Sequence, residues 1–306
     1  TAIITGANTG IGLSTARTLL HLHPRTLILA CRNLPSASTA RDTLLASYPS
    51  TKTNIITKHL DLSSYASVRS FTREITSEVE NLDLLVLNAG SAFFADFQLG
   101  NEGRERTVQN MFLSNVLLLL GLLPLLEKSA GRVTWVGSRR AYEIITRSHP
   151  DTTFLNIESG SILDWFDREE GYDMMNRYGE VKFLCLAFFY ELATRLQQRG
   201  GEGGGRVILN MICPGAVRTN LARNLPVWYR PLVWVFQKLV SRSAEEAGVL
   251  VVRAGVVVGG ESHGVFFGDH EVERVHPFFE SDEGKRVVKG IWQETMQEMK
   301  RVGVVP

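Results

Sequence analysis

The chain has 306 residues, 44% of them hydrophobic, which is enough for a substantial core without disulfide or metal staples. Its formal net charge is +1, with no long run of like charge, which excludes the concentrated basic face that a nucleic-acid binder needs. Cys31, Cys185 and Cys213 lie far apart in apolar runs and read as buried free thiols of a reducing, cytoplasmic setting; the histidines show no metal-ligand spacing, so no metal is expected.

A short apolar strand at 2–4 runs into Thr5-Gly6-Ala7-Asn8-Thr9-Gly10-Ile11-Gly12 and then into an apolar-periodic helix over 13–22. In a strand–turn–helix, Gly6 can turn tightly, Gly10 lets a backbone approach a pyrophosphate, and Gly12 lets helix and strand pack closely. Free N–H groups at the helix start, backed by the helix dipole, then hold phosphates. Gly6, Asn8, Thr9, Gly10, Ile11 and Gly12 are therefore the first dinucleotide-binding candidates.

Further strands are expected at 26–30, 54–59, 82–88, 133–137, 207–213 and 264–268, with helices near 36–47, 64–80, 102–128, 173–199, 244–258 and 282–301. Continuous apolar strands separated by amphipathic helices predict a doubly wound α/β fold, a mostly parallel seven-stranded sheet covered on both faces. No internal repeat or linker divides it. The glycine-rich stretch at 200–205 falls between a helix and the next strand, away from the expected ligand crevice, and reads as a connector. The longest apolar run, 116–126, falls short of the roughly 18–20 residues of a membrane-spanning helix. The chain opens with Thr1 inside a strand, so an upstream anchor or targeting segment is left open.

The end of the second strand selects the cofactor. An acid there would bond an adenine-ribose 2′-hydroxyl, whereas an arginine accommodates a 2′-phosphate. Here the strand ends in Cys31-Arg32-Asn33 without a carboxylate, and Arg32 can pair with a phosphate through two parallel hydrogen bonds. NADP(H) is expected over NAD(H). Asp61-Leu62 closes the third strand, where the carboxylate can accept from an adenine amino group. Asn88-Ala89-Gly90 closes the fourth, where small residues let a cofactor lie against backbone.

These motifs occur in order with Ser138, Tyr178-x-x-x-Lys182 and Pro214-Gly215, and together they resemble the short-chain dehydrogenase/reductase family over essentially the whole chain. Ala30-Cys31-Arg32-Asn33 and Glu261-Ser262-His263-Gly264 resemble its retinol-dehydrogenase-like branch, and the overall texture is similar to reductases of fungal secondary metabolism. The resemblance implies one Rossmann-type domain over 1–306 that interconverts a ketone or aldehyde and an alcohol. The residues support that chemistry. Tyr178 and Lys182 are one helical turn apart, so they face the same way. An ammonium roughly 5 Å from a phenol, at an effective dielectric near 20, favours the phenolate by about 3 kcal/mol. Ser138 can hydrogen-bond a substrate carbonyl oxygen as charge develops on it. By resemblance, Lys182 also holds the nicotinamide ribose, and the segment from Pro214 and Gly215 to Val217 and Thr219 meets the nicotinamide, through the Val217 backbone and the Thr219 hydroxyl.

Three features depart from the family pattern. The family usually carries an asparagine in the fourth helix, and alignment places Met111 there, whose thioether accepts only weakly. In a regular helix Asn110 points roughly 100° away and Asn115 lies about a turn further on, so neither is equivalent, and a water relay to Lys182 through backbone carbonyl is the expectation. Second, 39 residues separate Ser138 from Tyr178, so 139–172 contains an insertion near the site. Trp165, Phe166, Met174 and Met175 either line the substrate mouth or pack the insertion, and Asp164 and Asp167 read as solvated loop charges. Third, Trp228, Leu232, Val235, Phe236 and Leu239 follow helical spacing within 220–243, which reads as a substrate lid by resemblance, as plain core, or as a membrane-surface or subunit contact; a lid implies a bulky hydrophobic substrate such as a polyketide or terpenoid. The helices at 102–128 and 173–199 are candidates for homodimer pairing. Rival functions are non-redox chemistry on the same fold, motivated by Met111, and cofactor sensing without turnover, which the intact Tyr178 and Lys182 oppose.

Overall fold

The computed structural model describes residues 1–92, 96–147, 154–157, 160–199, 206–218 and 241–303. The glycine-rich stretch at 200–205, Thr219 and almost all of 220–243, including its five apolar residues, lie outside them. Seven strands are parallel: β1 (Ala2–Thr5), β2 (Thr26–Cys31), β3 (Asn54–His59), β4 (Leu84–Leu87), β5 (Arg132–Val136), β6 (Ile208–Cys213) and β7 (Phe266–Gly268). Their order is β3-β2-β1-β4-β5-β6-β7, so the winding reverses between β1 and β4 and opens a crevice at the carboxyl ends of those strands.

The sheet has eight strands rather than the expected seven. A two-residue strand, β8 (Glu271–Val272), pairs antiparallel with β7. Asp269 stands at φ +59 and allows the tight reversal between them. Both β8 residues are exposed, so this strand carries no apolar pattern by which to find it.

Side chains alternate across the sheet. Ile3, Ile28, Leu85 and Leu87 point to one core, and Ile4, Leu27, Leu29, Leu84 and Val86 to the other. The second core is closed by α1 (Gly10–Leu20), α2 (Leu34–Ser47) and α8 (Ala244–Val252). The first is closed by α3 (Tyr65–Glu78), α4 (Arg106–Ser129), α7 (Met174–Arg199) and the C-terminal α9 (Asp282–Arg301). Helix α4 has the length and apolarity of a membrane-crossing helix, but 83% of its most apolar window is buried inside the fold. Its hydrophobicity is that of a core element. Between β5 and α7 lie α5 (Arg140–Arg147) and α6 (Ile162–Phe166).

Helix α9 lies along the outside of α7. Trp292 stacks on Phe188 with ring centroids 4.9 Å apart, and Phe188 meets Phe112 of α4 edge-on at 5.8 Å. At its far end, α9 reaches α3, where the Tyr65 hydroxyl donates to Glu298 Oε1 at 3.2 Å. Phe188 is fully buried at the junction of three helices. Phe188→Ala should therefore lower unfolding stability by about 3–5 kcal/mol, read as a drop in the urea midpoint with the m-value unchanged.

Candidate active site

At the switch point the sheet opens into a cavity of about 420 Å³. One end of it is built by the turn after β1. Gly6 and Gly10 stand at φ +66 and +55, which a residue with a Cβ adopts only under strain. Gly12 lies behind the turn and not in the cavity wall; a Cβ there would sit 2.4 Å from the Gly6 carbonyl oxygen. Its role is close packing of α1 on the turn. Thr9 opens α1 without a side-chain cap, and no acidic residue lies in the first turn. The helix's first N–H groups and its positive dipole end are thus left open toward the cavity, the arrangement that receives a phosphate.

Asn8, Thr9, Gly10, Ile11, Arg32, Asp61 and Leu62 line the end of the cavity beside β1, β2 and β3. Asn8 is steadied by Ser36, a lining residue that sequence reasoning missed, through a 2.9 Å bond from its Nδ2. Arg32 is exposed at the rim. Asp61 Oδ1 accepts from the backbone and hydroxyl of Ser63, at 2.9 and 2.7 Å, which fixes the carboxylate at the strand end. Asn88, Ala89 and Gly90 form the floor. The Asn88 amide donates to the Thr5 carbonyl at 2.8 Å, while Thr5 Oγ1 accepts from the Asn88 and Ala89 N–H groups. Asn88 therefore locks β4 to the glycine turn.

Ser138, Tyr178 and Lys182 converge on the other end, with Pro214, Gly215 and Val217 after β6. Ser138 follows β5, and its Oγ accepts from the Arg140 N–H at 3.3 Å. Lys182 is nearly buried, and its ammonium donates to the Val136 carbonyl at 2.8 Å. That ammonium lies 5.9 Å from the centroid of the Tyr178 ring, close to the separation assumed from helical spacing. Gly215 stands at φ +76, with Asp269 Oδ1 only 2.9 Å from where its Cβ would be.

The fourth helix differs most from expectation. Residues Gln109–Leu113 form a π turn, closed by the Ser114 N–H donating to the Gln109 carbonyl. Both Asn110 and Met111 line the cavity as a result, which corrects the reading that Asn110 points away. The Met111 carbonyl accepts from Asn115 Nδ2 at 3.1 Å and from Cys185 Sγ at 3.4 Å, so its lone pairs are engaged within the protein. A water relay through that carbonyl is not supported.

The chain is similar over its whole length to curated fungal enzymes. It is 34% identical to the short chain dehydrogenase macD of Penicillium terrestre and 35% identical to yanD of Aspergillus niger, in each case over 100% of this chain and 92% of the relative. The family model for short chain dehydrogenases matches residues 1–147. This chain belongs to the short-chain dehydrogenase/reductase family. Solved structures show the same fold at low identity. An NADPH-bound short-chain oxidoreductase from Pseudomonas aeruginosa, described as containing an atypical catalytic center, matches with TM-score 0.62 and 18% identity over 90% of this chain and 96% of that one. YwfH, an NADPH-dependent reductase of bacilysin biosynthesis, matches with TM-score 0.60 and 16% identity over 89% and 98%. The match to curated short chain dehydrogenases supports an oxidoreductase.

In this member of the short-chain dehydrogenase family, the described part of the segment between β5 and α7 is fastened by buried charge. Arg177, directly before Tyr178, is 2% exposed and donates to the Phe166 carbonyl at 2.8 Å and to Glu180 at 3.1 Å. It also lies 3.5 Å from Glu105, whose carboxylate caps α4 through the N–H groups of Thr107 and Val108. Trp165 and Phe166 pack around the Arg177 guanidinium and Phe154, not on the cavity wall. Asp164 is exposed as expected, but Asp167 is not a solvated charge: it accepts from the Glu105 N–H at 2.8 Å and from Arg104 at 2.6 Å.

Burial pushes the Glu180 carboxyl from its ordinary 4.5 up to about 7, against the pull of Arg177. The folded chain then holds a proton that the unfolded chain has lost between those two values, so this group's contribution falls as pH rises through that window. Glu180→Gln should therefore gain melting temperature relative to the parent on going from pH 5 to pH 8. A difference that stays constant across that range would show that Glu180 does not titrate there.

Proposed function

We propose that this protein is an NADP(H)-dependent oxidoreductase that interconverts a bulky hydrophobic ketone or aldehyde and its alcohol, with Tyr178 as the proton donor and acceptor. The observation that carries the reading is the convergence of Ser138, Tyr178 and Lys182 on one cavity with the uncapped glycine turn. Arg32 at the rim, with Cys31 and Asn33 beside it in place of an acid, supports the phosphorylated coenzyme. The structurally similar YwfH and Pseudomonas oxidoreductase are both described with NADPH, which agrees with that choice.

When bound, the nicotinamide supplies or accepts a hydride at the substrate's carbonyl carbon. The protein's task is the oxygen. Ser138 holds the carbonyl oxygen by a hydrogen bond that strengthens as negative charge grows there. Tyr178 gives its hydroxyl proton to that oxygen in reduction and takes it back in oxidation. Lys182, anchored on the Val136 carbonyl, is held beside the phenol, its ammonium 5.9 Å from the ring centroid. The coenzyme-holding set is Gly6, Asn8, Thr9, Gly10, Ile11, Arg32, Asp61, Leu62, Asn88, Ala89, Gly90, Pro214, Gly215 and Val217, all on the cavity wall, together with Thr219.

The apolar spacing within 220–243 supports a lid and a hydrophobic substrate. Three buried free cysteines support a reducing, cytoplasmic setting. Homodimer pairing through α4 and α7 belongs to the same reading, with α9 already seated on α7 through Trp292, so a second copy would dock beside it.

With NADPH and a panel of hydrophobic ketones, loss of the reduced-nicotinamide absorbance should be steady. Product without that loss would assign non-redox chemistry, and binding without product a sensing role. Tyr178→Phe should lower kcat by about 10²–10⁴-fold while NADPH binding, read by nucleotide fluorescence, changes little. Arg32→Ala should raise the KM for NADPH by roughly 10–100-fold and leave that for NADH nearly unchanged, as measured by paired initial-rate titrations.

A further inference from the structure

Asn110 is the polar side chain of the cavity wall with the least explanation. It is 8% exposed, and its carboxamide makes no hydrogen bond among the described residues. It nevertheless lines the cavity that holds Tyr178 and Lys182. Neither of its amide atoms is among the fully buried unpaired ones of the described residues, so the carboxamide is reachable from the cavity, where water or a ligand can pair with it.

The turn that carries Asn110 is fixed from behind. Asn115, itself 1% exposed, spreads its Nδ2 over three carbonyls, those of Asn110 and Met111 at 3.1 Å and of Ala89 at 3.4 Å. Cys185 on α7 also donates to Met111. These bonds hold the π turn open and tie it to the floor strand. Met111 then lies against Gly90, its Cγ 3.1 Å from where a Cβ on that glycine would be, and closes the floor with apolar surface. Asn110, its neighbour, supplies the polar group.

Its place along the cavity defines the ligand. The glycine turn follows β1, Asn88-Ala89-Gly90 follows β4, and Ser138 follows β5, so a dinucleotide held at that turn with its reacting end at Ser138 would cross the floor between them. Asn110 lines the same cavity on a turn tied by Asn115 to the Ala89 carbonyl of that floor and by Cys185 to the helix that carries Tyr178 and Lys182. We propose that Asn110 is a coenzyme-binding residue that this chain's π turn brings into the site, its carboxamide hydrogen-bonded to the hydroxyls of the ribose next to the nicotinamide. A carboxamide offers both a donor and an acceptor, which matches vicinal hydroxyls.

The inference rests on the NADP(H) reading of the same cavity, and NADPH binding separates the two. NADPH is titrated by nucleotide fluorescence against the parent protein, Asn110→Leu and the double variant Asn110→Leu/Met111→Asn, with ketone turnover followed in parallel. Asn110→Leu should weaken NADPH binding about tenfold, and moving the amide to position 111, which lines the same cavity, should recover most of that loss. Asn110→Ala serves the same comparison where leucine unsettles the turn. Binding of Asn110→Leu and Asn110→Ala within twofold of the parent would overturn the assignment, as would a double variant no better than the single one, because a merely structural loss is not rescued by relocating an amide. If the parent binds NADPH but reduces nothing, the proposed reaction fails while the Asn110 assignment is still decided by these titrations. A parent that does not bind NADPH removes both.

Discussion

The site depends on one buried contact, the Lys182 ammonium on the last carbonyl of β5. A lysine this deeply buried is held only where its charge is met, and the Val136 oxygen at 2.8 Å meets it without neutralising it. The bond joins the end of a central strand to the middle of α7. It therefore sets the distance between Ser138, which follows that strand, and Tyr178, one turn earlier on that helix. A carboxylate in place of the carbonyl would hold the lysine equally well but cancel the field that the phenol experiences.

Around that contact, rigidity comes from two different sources. On the coenzyme side it is steric, because the turn after β1 is so close to α1 and β4 that Gly12 has no room for a methyl group. On the substrate side it is electrostatic. Arg177, Glu105, Asp167 and Arg104 tie the described part of the segment between β5 and α7 to the start of α4, with aromatic rings of Phe166, Trp165 and Tyr172 around the Arg177 guanidinium. Removing one member of such a buried set strands the others, at a cost of about 3–5 kcal/mol. The residue before the proposed proton donor is thus among the least free in the molecule.

Much of this was legible beforehand, and the misses share a cause. The apolar strands and the glycine turn carry local signals, a period or a spacing that physics ties to one conformation. The π turn at 109–113 carries none, since its residues are compatible with a regular helix and the extra width is set by Asn115 and Cys185 reaching in from elsewhere. Asn110 was misread for that reason. Asp167 was misread because its partners, Arg104 and the Glu105 amide, are more than sixty residues away in sequence. Trp165 and Phe166 left two readings open, and only their contact with Arg177 chose between them. The eighth strand was missed because two exposed residues hold no pattern.

The sequence by itself determined the order of strands and helices, the glycine turn after β1, the absence of an acid at the end of β2 and the one-turn pairing of Tyr178 with Lys182, because each is written in neighbours a few residues apart. Tertiary structure alone decided what stands around them: which carbonyl receives the lysine, which of two adjacent fourth-helix side chains is polar surface in the cavity and which is floor, and what fastens the segment between β5 and α7. Those outcomes depend on groups brought together across the whole fold, and no local pattern encodes a partner that distant.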